Sequence, residues 1–510
     1  MPYYINCKDP SRRQRSLLLA QRLEEFDAAR RELLLQLEEL DARKGAVQFE
    51  FNELQNVDAP ISSLPDEVLA MVFEAGVILD EFPKSRFAIL VSHVTHRWRS
   101  IALATPRLWN TIFWNVEPDE DGRTPPTSVL VKFTKGINQA AMFLSRSASA
   151  PISIHIKGLY GKELWRKRDS IGLAHMIELL HANFYRCQHL SIQYGEAWAI
   201  EKIVEKVCCG PAPIISSIDF SHVLSGGYFA PTTVLFPYGT PLLKIAQLDL
   251  LHIFSTPHFL YAFQQLTSLR LTDLVLPNKN HGLIADALIS MRVLDHLEVF
   301  SYHWITHDIP ALVQPTIRFL FLHLYPSTST HDAIQSFRAV SLTTLSIDLT
   351  GGLWYSLNWP PQPQASFPSL QHLILVYIKM EYLKFDGIAR EFPAIARLTC
   401  QGVDPGFEVG RVLAAMSACV AEVSLHWTDL HTIAVSGPDA ALDIPGPALD
   451  SQVAELYAAG IPIRTLMLPP ALVAHVGGHA MESLRKLVEV EDFSLDWPTP
   501  FERFERLGED

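Results

Sequence analysis

Cysteine is scarce in this chain: six among 510 residues, Cys7, Cys187, Cys208, Cys209, Cys400 and Cys419, with no C-x-x-C pair. Cys208 and Cys209 are neighbours and cannot easily bridge each other without strain. A disulfide framework is therefore not expected, and a reducing compartment, cytoplasmic or nuclear, fits better. No 18 apolar residues run together, so no membrane helix is expected. The start, MPYYINCKDPSRRQRS, lacks the apolar core of a signal peptide, and SLLLA at 16–20 is too short to supply one. Positive charge is also in deficit. With 42 Lys and Arg against 55 Asp and Glu, the formal net charge is −13, which suits neither non-specific nucleic-acid binding nor an anionic membrane surface.

Catalytic signatures are missing too. There is no G-x-x-x-x-G-K-S/T or G-x-G-x-x-G phosphate cradle and no G-x-S-x-G nucleophile elbow. Histidine pairs occur at His93/His96, His426/His431 and His475/His479, none in H-E-x-x-H form, and Gly477-Gly478 disfavours a helix across the last. No catalytic residue, metal site or cofactor is expected, and a binding role is favoured over an enzyme. What is present is ordinary folded composition, 48% hydrophobic and 19% charged, in a chain long enough for two or three modules.

Residues 17–56 repeat apolar positions on a heptad. With Leu19 at d, the d row continues Phe26, Leu33, Leu40, Val47, Leu54; the a row reads Leu23, Arg30, Leu37, Lys44, Phe51. That alternation predicts a long helix with a coiled-coil seam, weakened by its two basic a positions. Three readings stay open: a helix folding back on its own domain, self-association, or a different partner.

Ala59-Pro60 interrupts that helix. Beyond it, Ser63 is a candidate N-cap, Pro65 suits a first turn, and Asp66 and Glu67 complement the helix dipole. Val68, Leu69, Val72 and Phe73 form one helical face, and a second helical pattern covers 87–103 through Leu90, Val91, Val94, Trp98 and Ile101. So small a bundle is marginal alone and gains from a partner. Residues 61–112 resemble an F-box-like domain of the fungal type. Leu64-Pro65, Glu67, Val68-Leu69 and Val72-Phe73 match its opening, and Val94, Trp98, Arg99, Ile101, Ala102, Pro106, Leu108 and Trp109 its closing pattern. The resemblance implies docking on a Skp-type adaptor and, through it, a cullin. Leu64 and Pro65 would enter the adaptor's groove, with Val68, Leu69, Val91 and Val94 adding contact, each buried aliphatic side chain worth about 1.5–3 kcal/mol. Trp98 and Trp109 are expected to knit the bundle. The same residues also read as an ordinary helical pair packed on the rest of the chain.

From about residue 187 a motif recurs: two apolar residues flanking one variable residue, with a third apolar residue three positions earlier. The pairs are Leu190/Ile192, Ile218/Phe220, Leu248/Leu250, Leu269/Leu271, Leu297/Val299 and Leu320/Leu322, then Leu345/Ile347, Leu373/Leu375, Leu398/Cys400, Val423/Leu425 and Leu466/Leu468. Their spacing is 21 to 30 residues except for a final gap of 43. Each unit offers one short strand that cannot bury its apolar face alone, so neighbours stack into a parallel sheet. PISIHI at 151–156 is a candidate opening strand, and MIELLHANF and HGLIADALISM read as helices. The pattern resembles the leucine-rich-repeat family, without that family's Asn or Cys five residues after the first leucine; Ile253, Leu274, Tyr302 and Val403 stand there.

The expected layout is an α/β chain: a flexible N-terminus at 1–16, a long helix at 17–58, the F-box-like bundle at 61–112, a linker or surface loop at 115–128, an irregular leucine-rich-repeat solenoid at 140–500, and a tail at 501–510. On the face opposite the core pairs, Phe300, Phe319, Phe321, Ile374 and Val376 gather as a candidate substrate-binding surface, if that face is open. Strands covered on both faces would read the same way. The function implied is the substrate-recognition subunit of a cullin–RING ubiquitin ligase that captures a protein. A coiled-coil leucine-rich-repeat scaffold without a ligase partner is the alternative.

Overall fold

A computed structural model describes residues 10–57, 59–79, 85–115, 126–158, 170–194, 197–221, 236–249, 263–272, 281–301, 312–324, 333–334, 336–348, 367–380, 383, 385–403, 407–423, 427–437, 449–476 and 478–501. Contacts divide the chain into two units: Met1–Gly76 with Val91–Ala102, and Val77–Leu90 with Leu103–Asp510.

The first unit opens with helix α1, Pro10–Val57, 48 residues long. Leu, Glu, Gln and Arg favour the helical state, and pairs one turn apart such as Glu39–Arg43 add to it. The helix starts earlier than the expected Leu17, so Pro10–Ser16 form its first turns, while 1–9 lie outside the described residues. Its apolar row is exposed from end to end, Phe26 at 70% and Leu33 at 64%. That corrects the reading in which α1 folds back on its own domain.

A 3-10 turn at Pro60–Ser63 leads into helix α2, Asp66–Leu79. Ser63 does not cap α2; its hydroxyl donates to the Pro60 carbonyl, and Leu69 N–H bonds back to the Pro65 carbonyl. The second helical pattern is also corrected, from one helix to two: α3, Ser85–Val91, and α4, His96–Ala104. The break has a local cause. Thr95 turns its hydroxyl onto the Trp98 amide at 3.1 Å, capping a new helix start. Phe73 and Trp98 pack 4.9 Å apart, so Trp98 does knit these helices.

The second unit carries a 14-stranded sheet whose strands are all parallel. The strands are β1 Thr111–Asn115, β2 Ile152–Lys157, β3 Cys187–Gln193, β4 Ser217–Ser221, β5 Ile245–Asp249, β6 Ser268–Thr272 and β7 His296–Ser301. They continue with β9 Phe319–Leu324, β11 Thr344–Asp348, β12 His372–Ile378, β13 Arg397–Gly402, β14 Thr432–Ser436, β15 Thr465–Leu468 and β16 Glu489–Asp492; β8 Leu312–Val313 and β10 Phe337–Arg338 pair separately. Each strand of the large sheet lies beside the next in sequence, the order expected when successive units stack. This arrangement is consistent with a repeat solenoid.

The core lies under the alternating pairs. From β3 to β15 no pair residue is more than 3% exposed. The residue three positions before each pair is buried as well, among them Ile215, Leu294, Ile317 and Ile463. Two registers differ from expectation. In β5 the core pair is Ala246/Leu248, with Leu243 before it. Val423 ends the helix Val409–Val423, and the strand that follows uses Ile433/Val435, with Leu430 before it. The array also starts earlier than expected. Ile112 and Trp114 are the core pair of β1, with Trp109 before them.

Trp109 therefore belongs to this unit, where it meets Phe143 at 5.0 Å, while Trp114 stacks on Phe133 at 5.3 Å. Both phenylalanines come from helix α5, Pro126–Arg146. Of the expected loop at 115–128, 116–125 lie outside the described residues and 126–128 begin α5. Helix α6, Ser170–Asn183, follows β2. Just beyond it the buried Arg186 donates to the Leu144 and Ala150 carbonyls, the Ser147 hydroxyl and Asn183 Oδ1, at 2.9 to 3.2 Å. A guanidinium thus satisfies acceptors at the C-terminal end of α5, where the helix dipole favours a cation. Among the described residues, no helix is long and apolar enough to cross a membrane.

Candidate functional site

Two surfaces carry the residues singled out by sequence, one in each unit. In the first unit, α2 divides its apolar residues between two faces. Leu69 and Phe73, four apart, are buried. Val68, Met71 and Val72 stand outward at i, i+3, i+4 spacing, Met71 being 69% exposed. Of the six residues expected to touch an adaptor, Pro65, Val68 and Val94 are exposed and Leu64 is half-buried. Leu69 and Val91 are core residues, at 0% and 2% exposure, and hold the helices together instead.

The Leu64-Pro65 segment is fixed by a residue the sequence pattern did not flag. Arg97 Nη1 donates to the Ser62 carbonyl at 2.6 Å, Nη2 donates to the Leu64 carbonyl, and Nε donates to Asp66 Oδ1 at 2.9 Å. One guanidinium from α4 therefore sets the backbone from which Leu64, Pro65 and α2 project.

In the second unit, the sheet face opposite the core pairs is read from the strand register. Gln247, Arg270, Glu298, Phe321, Ser346, Ile374 and Thr399 stand side by side on β5 to β13. In β5 this row is filled by Gln247 rather than by Asp249, the residue between the expected pair Leu248/Leu250, and residues 424–426 lie outside the described residues. Phe300 and Phe321 meet at 5.3 Å, and Phe319 sits on the same face of β9. Ile374 and Val376 are buried and present no open surface.

Part of this face is covered by the chain itself. After β16, residues 493–501 cross the sheet back toward β6. Phe493 N–H bonds the Leu468 carbonyl. Arg397 on β13 pairs with Asp496 and donates to the Ser494 carbonyl at 2.8 Å. The Trp497 ring lies 4.9 Å from His296, 6.1 Å from Phe319 and 5.9 Å from Phe321. Phe501 is buried, with the Arg270 guanidinium 4.5 Å above its ring. The tail expected at 501–510 thus begins with an anchored residue; 502–510 lie outside the described residues.

Glu298 is the centre of the contact. It is 1% exposed and accepts from Arg270 Nε at 2.7 Å, His296 Nε2 at 2.8 Å, the Thr499 hydroxyl at 2.8 Å and the Trp497 indole N–H at 3.1 Å. Burial pushes its pKa upward, but the His296 hydrogen bond and the Arg270 charge outweigh that and hold it near 2. On β12, burial first and the Arg397 charge second depress His372 to about 3, against a smaller opposing pull from Asp496. Burial raises the Cys187 and Cys400 thiols to about 12, so neither is an activated nucleophile. Among the described residues no His, Cys, Asp and Glu cluster could hold a metal ion.

These features define a class of fold: a parallel array of stacked strand units with a strap laid on one face. Comparison with known protein families and with characterised proteins finds no match. Among solved structures, the chain is similar to the leucine-rich repeat-containing protein LegL7 from Legionella pneumophila. The identity is 15%, with a TM-score of 0.32, over 49% of this chain and 82% of that one. A likeness so slight has no bearing on function.

Proposed function

We propose that this chain is a non-enzymatic receptor, joining a ligase adaptor of the Skp type, and through it a cullin, to a protein captured on the sheet. The observation that carries the reading is the outward stripe of Val68, Met71 and Val72 on α2, beside an exposed Pro65. An apolar helix face left in water while its opposite face is packed is the kind of surface a partner polypeptide covers. The match of these residues to the F-box-like pattern names the partner class. The role places the protein in the cytoplasm or nucleus, where adaptor and cullin work.

The test is co-purification of the adaptor with wild type, with Leu64→Ala/Pro65→Ala, and with Met71→Glu. Wild type is expected to retain the adaptor and both variants to lose at least nine-tenths of it. Met71 is exposed, so its substitution leaves the fold intact. If wild type retains none, the ligase reading fails and the scaffold reading takes its place.

The exposed α1 favours one addition, self-association in an antiparallel pair. In a parallel pair Arg30 would face Arg30 and Lys44 would face Lys44. The antiparallel register sets Arg30 against Val47, Lys44 against Leu33, Leu23 against Leu54 and Phe26 against Phe51. Like charges are separated and the apolar layers kept, the arrangement that charge patterning in coiled coils selects.

A further inference from the structure

The strap at 493–501 is held in an unusual way for a permanent cover. After Phe493, among the described residues, no backbone N–H of the strap bonds a strand, and Pro498 and Pro500 have none to offer. Beyond the Ser494 carbonyl, which accepts from Arg397, its attachment is made by side chains: Asp496 to Arg397, Trp497 and Thr499 to Glu298, and Phe501 under Arg270. Asp496, Pro498 and Pro500 remain exposed, and Trp497 and Thr499 are half-buried.

The polar groups beneath it argue the same way. Burying the Arg270–Glu298 pair carries a desolvation cost that an apolar cover would avoid. What the pair provides instead is selectivity, because a buried carboxylate discriminates for side chains that donate hydrogen bonds and against those that do not. Here it accepts from an indole and a hydroxyl two residues apart, and Arg397 reads an acid next to the indole. That is a built site for an extended peptide.

We infer that this face binds, in trans, an extended peptide segment with the order acid–Trp–x–Thr or Ser–x–aromatic, and that the strap is its resident competitor. The inference deepens the capture role proposed above by naming the chemistry of the captured segment, and it does not depend on adaptor docking. A tethered segment competes at an effective concentration of the order of millimolar, so a free peptide binds only weakly while the strap is seated.

The test uses full-length protein and a fluorescent nonapeptide with the sequence of residues 493–501, followed by anisotropy. Wild type is expected to bind it weakly. Asp496→Ala/Trp497→Ala, which loosens the strap, is expected to bind at least tenfold tighter. Adding Arg397→Ala to that variant, or replacing the peptide's tryptophan by alanine, should reverse the gain. Equal affinity for wild type and the loosened variant, at unchanged melting temperature, overturns the inference. Should the double variant fail to fold, Asp496→Ala alone gives the same comparison, its side chain being about half in solvent. No gain there overturns the inference too. Adaptor co-purification is measured on the same samples. Lost peptide binding with the adaptor retained removes this inference alone, and the converse removes only the adaptor reading.

Discussion

Glu298 is a carboxylate kept ionised where water is excluded, and His372 is an imidazole kept neutral beside an arginine. Both pKa values are depressed on folding, His372 to about 3 and Glu298 to about 2. In each case the unfolded chain binds the proton first as pH falls. Their contributions are therefore complete above the unfolded values, about 6.5 and 4.3, and are lost below them. Stability is expected to be flat from pH 8 to 7, to fall from pH 6.5 as His372 titrates in the unfolded state, and to steepen below 4.5. For Glu298 the whole effect is of order 3 kcal/mol. Urea midpoints against pH check this, and His372→Asn should flatten the segment between 6.5 and 4.5. If that segment keeps its slope, His372 is not its source. A second residue-scale expectation concerns Arg186, which satisfies three acceptors at the end of α5. Arg186→Ala removes the donor they share, although the Leu144 carbonyl keeps the Ser147 hydroxyl, and should cost about 1–3 kcal/mol; a loss under about 0.5 kcal/mol would mean that water replaces the guanidinium freely.

Among the elements, the strands were the most legible part of the sequence, because the alternating pair and the apolar residue before it both point into one core. The two misplaced registers have physical reasons. Around β5, Leu248 and Leu250 alternate as well as Ala246 and Leu248 do, and alanine is a weak hydrophobic signal. Near 423, Val420 and Val423 stand three apart on a helix, a spacing that helix and repeat share. The first strand was hidden for a different reason, since Trp109 closes the F-box-like pattern and also opens the array. On α2, the spacing reads Val68, Leu69, Val72 and Phe73 as one apolar face, whereas the structure buries Leu69 and Phe73 and leaves Val68 and Val72 outward; residues adjacent on one helical stripe look alike to periodicity. Arg97 escaped because its acceptors are backbone carbonyls more than 30 residues away. The exposed α1 gives the prediction at this scale. Wild type should sediment as a dimer, and cysteines placed at Arg30 and Val47 should cross-link between chains while a pair of cysteines at position 30 alone should not. Cross-linking at 30 alone would reverse the proposed direction.

For the molecule as a whole, local pattern gave the order of parts but not what lies across them. The strap has no periodicity, and its hydrogen bonds to Glu298 join residues 199 and 201 apart in sequence, beyond any window in which spacing informs. For Phe319 and Phe321 the sequence leaves an open face and a covered one equally admissible, and nothing in its spacing points to Trp497 as the cover. This separation has a consequence for assembly. Stacked units make mostly neighbour contacts and can be laid down one after another, yet the middle of the array receives its cover only once residues 493–501 exist. During synthesis the phenylalanines of β7 and β9 stay bare for the time taken to make about 180 further residues, roughly 10–40 s at ordinary elongation rates. Nascent chains stalled before residue 490 should therefore recruit apolar-binding chaperones that the finished protein ignores.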